Sequence, residues 1–180
     1  MPPKAKPKAG TVWEIVPNVL FVTDANGASM ATADLDRACR HTLAAIVNVA
    51  GSAFDNRHAA PFDSADGRRV ALRYANCPVL DSVDATLPLG EVFELVDSLP
   101  AFAGRPNPKP GERSALLVHC RGAHSRSLAV AAALLVRCFQ LPLPEALLTI
   151  KRARGLHNIN RGFMEQLAAL DARRLSNCPP

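Results

Sequence analysis

The hydrophobic positions of this chain fall into short apolar segments separated by longer segments with helical periodicity. Short runs rich in valine, isoleucine and leucine are typical of strands, and nearly continuous apolar runs are typical of strands buried on both faces. We predict strands at residues 12–16, 19–22, 44–49, 70–74 and 115–118. Pro17 and Asn18 are turn residues between the first two, so these strands are expected to form a hairpin at one edge of a sheet.

Five further segments have the periodicity or composition of helices. They comprise residues 31–43, 89–99, 125–140, 144–154 and 161–175. Residues 52–69 show little periodicity and predict a long surface loop, and the proline-rich residues 104–111 predict a rigid connector. Strands interleaved with helices predict an α/β fold with a central sheet, and no internal repeat is visible.

The composition suits one domain. The chain has 180 residues, and 48% hydrophobic residues are enough for a substantial core. We place the domain at residues 11–175, between a Pro/Lys-rich segment at residues 1–10 that we expect to be disordered and a short tail at residues 176–180. Three lysines of the opening segment contribute to the net charge of +5. The rest of the chain is only weakly basic, which argues against nucleic acid as a partner.

Apolar runs and cysteines bear on the cellular setting. No apolar run is long enough to cross a membrane. The five cysteines lack paired short spacings, which indicates a reducing compartment, the cytoplasm or the nucleus, rather than a disulfide framework or a zinc site. No feature of the sequence specifies an oligomeric state.

The candidate chemistry lies in residues 119–127, His-Cys-Arg-Gly-Ala-His-Ser-Arg-Ser. Residues 120–125, called the catalytic loop below, join a predicted strand to a predicted helix that begins near Ser125. Backbone N–H groups and the positive end of the helix dipole attract phosphate there and favour the thiolate form of Cys120. Arg126 can bind two phosphate oxygens with its planar guanidinium, and Ser127 can hydrogen-bond the sulfur when it leaves. The arrangement predicts phosphoryl transfer through a phosphocysteine; the alternative is a buried structural thiol beside a solvated arginine.

With this loop in place, the chain resembles the dual-specificity protein phosphatases, in particular the small atypical members that are little more than a catalytic domain. The resemblance covers about residues 11–175. Its further motifs are Val16-Pro-Asn-Val-Leu20, Ile46-Val-Asn-Val49, Tyr74-Ala-Asn-Cys-Pro-Val-Leu-Asp81, and Arg154 followed by Asn160-Arg-Gly-Phe163. It implies a protein-tyrosine-phosphatase-like fold with a central mixed, mostly parallel sheet of about five strands flanked by helices. It also implies an enzyme that needs no metal or other cofactor.

The resemblance implies roles for individual residues. Cys120 would be the nucleophile, Arg126 would bind the phosphoryl group, and Ser127 would assist the leaving sulfur. Asp81 would protonate the leaving oxygen and later deprotonate water. Asp84 is the rival acid, three residues further on, and a surface helix-cap role fits it better.

Several polar residues would support the site or lie outside it. His119 is expected to orient the catalytic loop by hydrogen bonds rather than to act as a base. Asn160 either ties the final helix to that loop or caps the helix. His41, His58 and His157 show no partner in the sequence and are expected at surface or packing positions.

The catalytic loop departs from the family pattern at two points. The family usually has glycine three residues after the cysteine, whereas here that residue is Ala123 and glycine occurs at Gly122. If the backbone at Ala123 requires a positive φ, the loop is strained by about 1 kcal/mol. Arg121 and His124 place basic groups where many relatives have small or apolar residues, which is similar to the phosphoinositide phosphatases of the same superfamily.

The leading hypothesis is a phosphatase that acts on phosphotyrosine and on phosphoserine or phosphothreonine in proteins. The alternative is a phosphatase of phosphoinositides or other polyanionic phosphates, and a lesser alternative is a phosphoprotein-binding module with weak turnover. The substrate would contact Arg121, Gly122, Ala123, His124, Ser125 and Arg154. Oxidation of Cys120 to a disulfide would require the fold to bring Cys77 or Cys138 close to it.

Overall fold

A central sheet and the helices packed on it form the framework of the site. The structure, a computed structural model, describes residues 10–51, 58–102, 112–155 and 158–176. The predicted connector at 104–111, residues 1–9 and 177–180 of the predicted tails, and His157 lie outside the described residues. The described strands are β1 (Val12–Val16), β2 (Leu20–Thr23), β3 (Leu43–Asn48), β4 (Phe62–Asp63), β5 (Arg69–Val70), β6 (Arg73–Asn76) and β7 (Ala115–His119). The described helices are α1 (Ala25–Ala28), α2 (Thr32–Ala38), α3 (Leu89–Asp97), α4 (Arg126–Cys138), α5 (Leu143–Arg154) and α6 (Arg161–Ser176).

Five strands form the central sheet, in the order β1-β2-β7-β3-β6. β1 pairs antiparallel with β2, which forms the predicted hairpin at one edge, while β2, β7, β3 and β6 run parallel. The predicted mixed, mostly parallel sheet of about five strands is therefore confirmed. β7 lies at the centre with all five residues buried. Because parallel strands end at the same edge, the segments that follow β7, β3 and β6 meet there.

The sheet is covered on both faces. On one face, α4 is buried from Ser127 to Val136 and packs with α3, α5 and α6 into the larger hydrophobic core. On the other face a smaller cluster joins Leu35 and Cys39 to Phe21 and Ile46. An all-buried helix of alanine, leucine and valine is expected in the middle of a layered domain. None of the helices in the described part of the chain combines the length and apolarity needed to cross a membrane.

The first predicted helix is shorter than its sequence pattern suggested. A helix was expected over residues 31–43, but α2 ends at Ala38 because Arg40 and His41 adopt left-handed backbone conformations, with φ of 55° and 60°. Left-handed residues terminate a helix and turn the chain. Before α2, Asp24 caps the single-turn helix α1 by accepting a hydrogen bond from the Gly27 N–H at 2.8 Å.

The predicted strand at residues 70–74 is divided between two sheets. β5 pairs antiparallel with β4 in a separate two-stranded sheet, whereas β6 joins the central sheet beside β3. Residues 52–57 of the predicted surface loop lie outside the described residues, and the rest of it contains most of one small hairpin. His58 lies before β4 and is 3% exposed. Its Nδ1 is 2.9 Å from the Thr32 hydroxyl and its Nε2 is 2.8 Å from the Ala28 carbonyl oxygen. His58 thus has a packing position, and His41 contacts Asp36 at 3.3 Å.

Candidate active site

The catalytic loop leaves the central strand β7 and enters α4, as its sequence pattern predicted. Cys120 follows the last residue of β7 and is 2% exposed. α4 begins at Arg126, one residue later than predicted, and the preceding Ser125 makes no side-chain cap. The loop therefore surrounds the positive end of a thirteen-residue helix. Such an end attracts phosphate and other anions.

The nucleophile candidate has a hydroxyl partner. Cys120 Sγ lies 3.2 Å from Ser127 Oγ, and both side chains are buried. A hydroxyl at this distance can donate a hydrogen bond to a thiolate and stabilise the sulfur as a leaving group. The role of Ser127 in sulfur departure stays a prediction.

Arg126 is anchored by backbone carbonyls from two neighbouring segments. Its Nη1 donates to the Ala50 oxygen at 2.9 Å, to the Val79 oxygen at 3.1 Å and, at the limit of a hydrogen bond, to the Val49 oxygen at 3.5 Å. Its Nε lies 3.7 Å from Asp81 Oδ2, and the side chain is only 12% exposed. The guanidinium is therefore held by the segments after β3 and β6, which is a well-ordered setting for a phosphate-binding group.

A buried asparagine orients one of these segments. Asn48, at the end of β3, is fully buried. Its Oδ1 accepts a hydrogen bond from the Ala50 N–H at 2.8 Å, and its Nδ2 donates to Asn76 Oδ1 at 2.9 Å. These bonds fix the turn that carries the Ala50 carbonyl to Arg126.

Asp81 lies against the catalytic loop. Its Oδ1 accepts hydrogen bonds from the Ser125 hydroxyl at 2.7 Å and from Asn160 Nδ2 at 2.8 Å. Together with the Arg126 contact, these bonds hold the carboxylate beside the phosphate-binding loop. Asp84 is exposed, and within the described part of the chain it makes no hydrogen bond or ion pair with that loop. The geometry therefore favours Asp81 over Asp84 as the acid.

Asn160 makes both of the contacts considered for it. Its Oδ1 accepts from the Phe163 N–H at 3.0 Å, which caps α6, while its Nδ2 bonds Asp81. Its backbone N–H donates to Ser125 Oγ at 3.2 Å. One residue thus connects the start of α6, the acid and the catalytic loop.

A basic rim lies on another side of the loop. Arg154 Nη2 is 3.1 Å from His124 Nδ1, and the Arg154 guanidinium stacks over the Trp13 ring at 4.9 Å. Because arginine can only donate, Nδ1 of His124 is the acceptor and the ring is neutral with its proton on Nε2. Burial and the charge of Arg154 lower the pKa of His124, against a smaller opposing effect of Asp24. Arg121 is exposed, and its carbonyl accepts from the Ala25 N–H at 3.2 Å.

Ala123 adopts the strained backbone that the departure from the family pattern suggested. Its φ is 50° and the residue is fully buried, whereas Gly122 is exposed and does not have a positive φ. The glycine of this loop therefore does not occupy the left-handed position. Alanine in that conformation costs about 1 kcal/mol relative to glycine.

His119 is a buried neutral imidazole. Burial, and to a smaller extent the charge of His58, lowers the pKa of His119 to about 4. In the sheet it lies in register with Thr23 of β2 and Asn48 of β3. Its neutrality at pH 7 agrees with a structural role, and its orientation of the loop by hydrogen bonds stays a prediction.

Two kinds of contact at this site were not predicted. The carbonyls that bind Arg126 carry no sequence signal, because every residue has one. Gly162 and Gln166 of α6 contact the segment that follows Asp81, as described below. Gly162 belongs to the Asn160-Arg-Gly-Phe163 motif of the resemblance, but neither that motif nor a glycine inside a helical pattern indicated which segment it contacts.

Similarity to known sequences is confined to part of the chain. No family model matches this chain. Dual specificity protein phosphatase 26 from Bos taurus is 43% identical over 72 residues, which are 40% of this chain and 33% of that protein. Dual specificity protein phosphatase 2 from Mus musculus is 31% identical over 104 residues, 57% of this chain and 30% of that protein. The chain thus spans a third or less of the length of these curated relatives.

Similarity of fold extends over nearly the whole chain. The crystal structure of a mouse dual specificity phosphatase complexed with zinc tungstate matches with a TM-score of 0.69 and 22% identity, covering 98% of this chain and 96% of that one. The crystal structure of human DUSP28 matches with a TM-score of 0.67 and 23% identity, covering 94% of this chain and 98% of that one. These findings confirm the predicted resemblance and the predicted fold class.

Proposed function

We propose that this chain, which resembles the dual-specificity phosphatases in sequence and has their fold, hydrolyses phosphotyrosine and phosphoserine or phosphothreonine in proteins. The observation that carries the proposal is the convergence of two pairs of groups at the start of α4. The Cys120 thiol lies 3.2 Å from the Ser127 hydroxyl, and the Asp81 carboxylate lies 3.7 Å from the Arg126 guanidinium. A nucleophile, an aid to its departure, a phosphate-binding cation and an acid are what a two-step phosphoryl transfer requires.

In the first step, the Cys120 thiolate attacks phosphorus and the bond from phosphorus to the ester oxygen breaks. Asp81, as the carboxylic acid, gives its proton to the departing oxygen, which leaves as the alcohol or phenol. Arg126 and the backbone N–H groups of the catalytic loop bind the phosphoryl oxygens.

In the second step, Asp81, now the carboxylate, takes a proton from water while the water oxygen attacks phosphorus. The bond from sulfur to phosphorus breaks and the thiolate returns, stabilised by the Ser127 hydroxyl. Inorganic phosphate leaves, and both groups regain their starting protonation states. The free thiol that this cycle needs suits a reducing compartment, the cytoplasm or the nucleus.

The test is turnover of phosphopeptides, p-nitrophenyl phosphate and phosphoinositides by the wild type and by Cys120→Ser. The substitution is expected to abolish turnover of every substrate that the wild type hydrolyses. Asp81→Asn should lower turnover of phosphopeptides by about 10²- to 10⁴-fold, the usual contribution of a general acid. Asp84→Asn is the matched control and should retain activity. Unchanged turnover of p-nitrophenyl phosphate by Cys120→Ser would refute the proposal.

A second candidate function follows from the basic rim. Arg121, His124 and Arg154 add cationic and hydrogen-bonding groups beside the catalytic loop, which suits substrates that carry several phosphates, such as phosphoinositide headgroups. Arg121→Ala should then weaken turnover of a lipid headgroup substrate more than that of a singly phosphorylated peptide. Equal effects on the two substrates would count against this candidate.

A binding module is the third candidate, and the strained backbone at Ala123 is the observation that favours it. A loop that binds phosphate but positions it imperfectly would capture phosphoproteins with weak turnover. Retained phosphopeptide binding by a wild-type chain without turnover would support it. The buried Cys120 with its Ser127 partner supports the enzyme instead.

A further inference from the structure

The segment that carries Asp81 runs across the first two turns of α6. We call residues 81–87 the acid loop. Gln166 of α6 binds the acid loop at two backbone positions: its Oε1 accepts from the Leu87 N–H at 2.9 Å and its Nε2 donates to the Ala85 oxygen at 2.8 Å. One side chain thus satisfies a donor and an acceptor of a segment with no regular secondary structure, which restricts where that segment lies.

Gly162 brings the acid loop into direct contact with the helix backbone. A Cβ atom at this position would lie 1.9 Å from the Val83 oxygen, 2.7 Å from the Val83 carbonyl carbon and 2.9 Å from its Cα. All three neighbours are backbone atoms, so no rotation of a side chain could make room. Gly162 does not have a positive φ, and glycine is needed here for close approach. A glycine inside a helix costs about 1 kcal/mol relative to alanine, and such a glycine usually has a packing reason.

Asn160 completes the contact at the start of the acid loop. Besides its bond to Asp81, its Nδ2 lies 3.4 Å from the Ser82 oxygen. The beginning of α6 therefore contacts the acid loop at Asp81, Ser82, Val83, Ala85 and Leu87. These contacts extend along the loop from Asp81 to Leu87, two residues before α3.

We infer that the first two turns of α6 hold the acid loop in the position at which Asp81 reaches the leaving oxygen, and that Gly162 and Gln166 are positioning residues for this acid. The inference rests on the proposed function. A displacement of Val83 would move Asp81, because only Ser82 separates them.

The test compares Gly162→Ala with Gly90→Ala on a series of aryl phosphates and a phosphotyrosine peptide. Gly90 lies in the first turn of α3, and a Cβ there would meet nothing within 4 Å, so it is a matched control. Gly162→Ala should lower kcat/KM about 10- to 100-fold for phenyl phosphate and the peptide, whose leaving groups need a proton. For 2,4-dinitrophenyl phosphate, whose leaving group needs none, the loss should be under about threefold.

Combination with Asp81→Asn tests whether Gly162 acts through the acid. Once Asp81 is replaced, Gly162→Ala should cause no further loss on phenyl phosphate, because residues that act as one unit are not additive. Gln166→Leu removes both hydrogen bonds without adding a clash and should show the same dependence on the leaving group. Urea denaturation shows whether Gly162→Ala folds. If it does not, Gln166→Leu provides the same test.

The outcomes separate the two proposals. If Cys120→Ser keeps its turnover, the proposed function fails. If Cys120→Ser is inactive but Gly162→Ala and Gln166→Leu both behave like Gly90→Ala, or lose activity equally on all substrates, the positioning role is overturned alone. A loss confined to poor leaving groups, and absent once Asp81 is replaced, supports it.

Discussion

At Ala123, the strain of a left-handed backbone and the burial of the side-chain methyl group have opposite effects of similar size on the free energy of unfolding. Glycine would relieve about 1 kcal/mol of backbone strain at a φ of 50°. It would also remove a methyl group that is fully buried, which is worth about 0.8 kcal/mol. Alanine is therefore tolerated here, although the loop has its glycine one residue earlier.

We predict that Ala123→Gly keeps the free energy of unfolding within about 1 kcal/mol of the wild type, because these two effects nearly cancel. Ala123→Val should lose more than about 2 kcal/mol, because a β-branched residue is strongly disfavoured at positive φ and the site has no space. Urea denaturation measures both values. A valine variant as stable as the wild type would contradict the backbone conformation described for Ala123.

The buried His119 imidazole makes the free energy of unfolding depend on pH. Burial lowers the pKa of His119 to about 4 from 6.5. Above pH 6.5 this imidazole is neutral in both the folded and the unfolded chain and has no effect on the pH dependence. Below that value the unfolded chain binds a proton that the folded chain does not, so the free energy of unfolding falls until about pH 4. The full loss is about 3 kcal/mol.

Urea denaturation between pH 8 and pH 5, on the wild type and on His119→Gln, checks this expectation. The variant lacks the titrating ring and should lose less stability over this interval than the wild type does. The comparison is made between slopes, so a constant destabilisation by the substitution does not affect it. Parallel curves for the two proteins would exclude His119 as the source.

At the scale of elements, a buried ion pair joins α2 to the start of β7. Arg113 Nη1 lies 2.6 Å from Asp36 Oδ1 and Nη2 lies 3.1 Å from Asp36 Oδ2, with side-chain exposures of 13% and 1%. The same Nη1 donates to the Leu43 oxygen at 3.2 Å, at the first residue of β3. Arg113 thus connects the segment before β7 with α2 and with β3.

We predict that Arg113→Met destabilises the protein by about 3–5 kcal/mol, because it removes the arginine from the buried Asp36 carboxylate and leaves that carboxylate with the more exposed His41 ring, 3.3 Å away. The double variant Arg113→Met with Asp36→Leu should recover most of this loss, because no buried charge remains. Arg37→Met is the matched control in α2, since its pair with Asp34 is exposed and worth under about 1 kcal/mol. Equal losses in Arg37→Met and Arg113→Met, measured in urea, would rule out this account.

The predicted and observed boundaries of strands and helices agree where the local sequence pattern decides the structure. Apolar periodicity located all five strands of the central sheet and the helices α3 to α6 to within a few residues. It extended α2 too far, because nothing in residues 39–42 marks the left-handed turn that Arg40 and His41 make. It also merged β5 with β6, because two adjacent strands that pair with different partners look like one apolar run. Both errors arise where pairing with distant residues decides the structure.

At the scale of the whole molecule, the sheet order determines which cysteines can reach Cys120. Cys77 bonds the Asn48 oxygen and Val49 bonds the His119 oxygen, so two strand spacings, roughly 9–10 Å, separate Cys77 from Cys120. Cys138 lies at the far end of α4, roughly 18 Å from its start. Both separations exceed the Cα distance of about 7 Å that a disulfide tolerates. Burial also raises the pKa of Cys77 and of Cys138, which makes these thiols poor nucleophiles.

We therefore predict that peroxide oxidises Cys120 without forming a disulfide to Cys77 or Cys138. A double variant, Cys77→Ser with Cys138→Ser, should lose activity in peroxide and recover it in dithiothreitol at the same rates as the wild type. Mass spectrometry of the oxidised protein under non-reducing conditions provides the direct measurement. A crosslinked peptide joining Cys120 to either cysteine would refute the prediction.

The sequence by itself determined the alternation of strands and helices and the strand, loop and helix around Cys120, and with the family resemblance it led to the proposal of Cys120, Arg126 and Asp81 as the reacting residues. These features are local, since periodicity and short motifs act within a few residues. Only the tertiary structure decided that carbonyls after β3 and β6 hold Arg126, that Ala123 takes a positive φ, and that Gly162 seats the acid loop on α6. These contacts join segments distant in the chain, and packing of the whole domain brings them together.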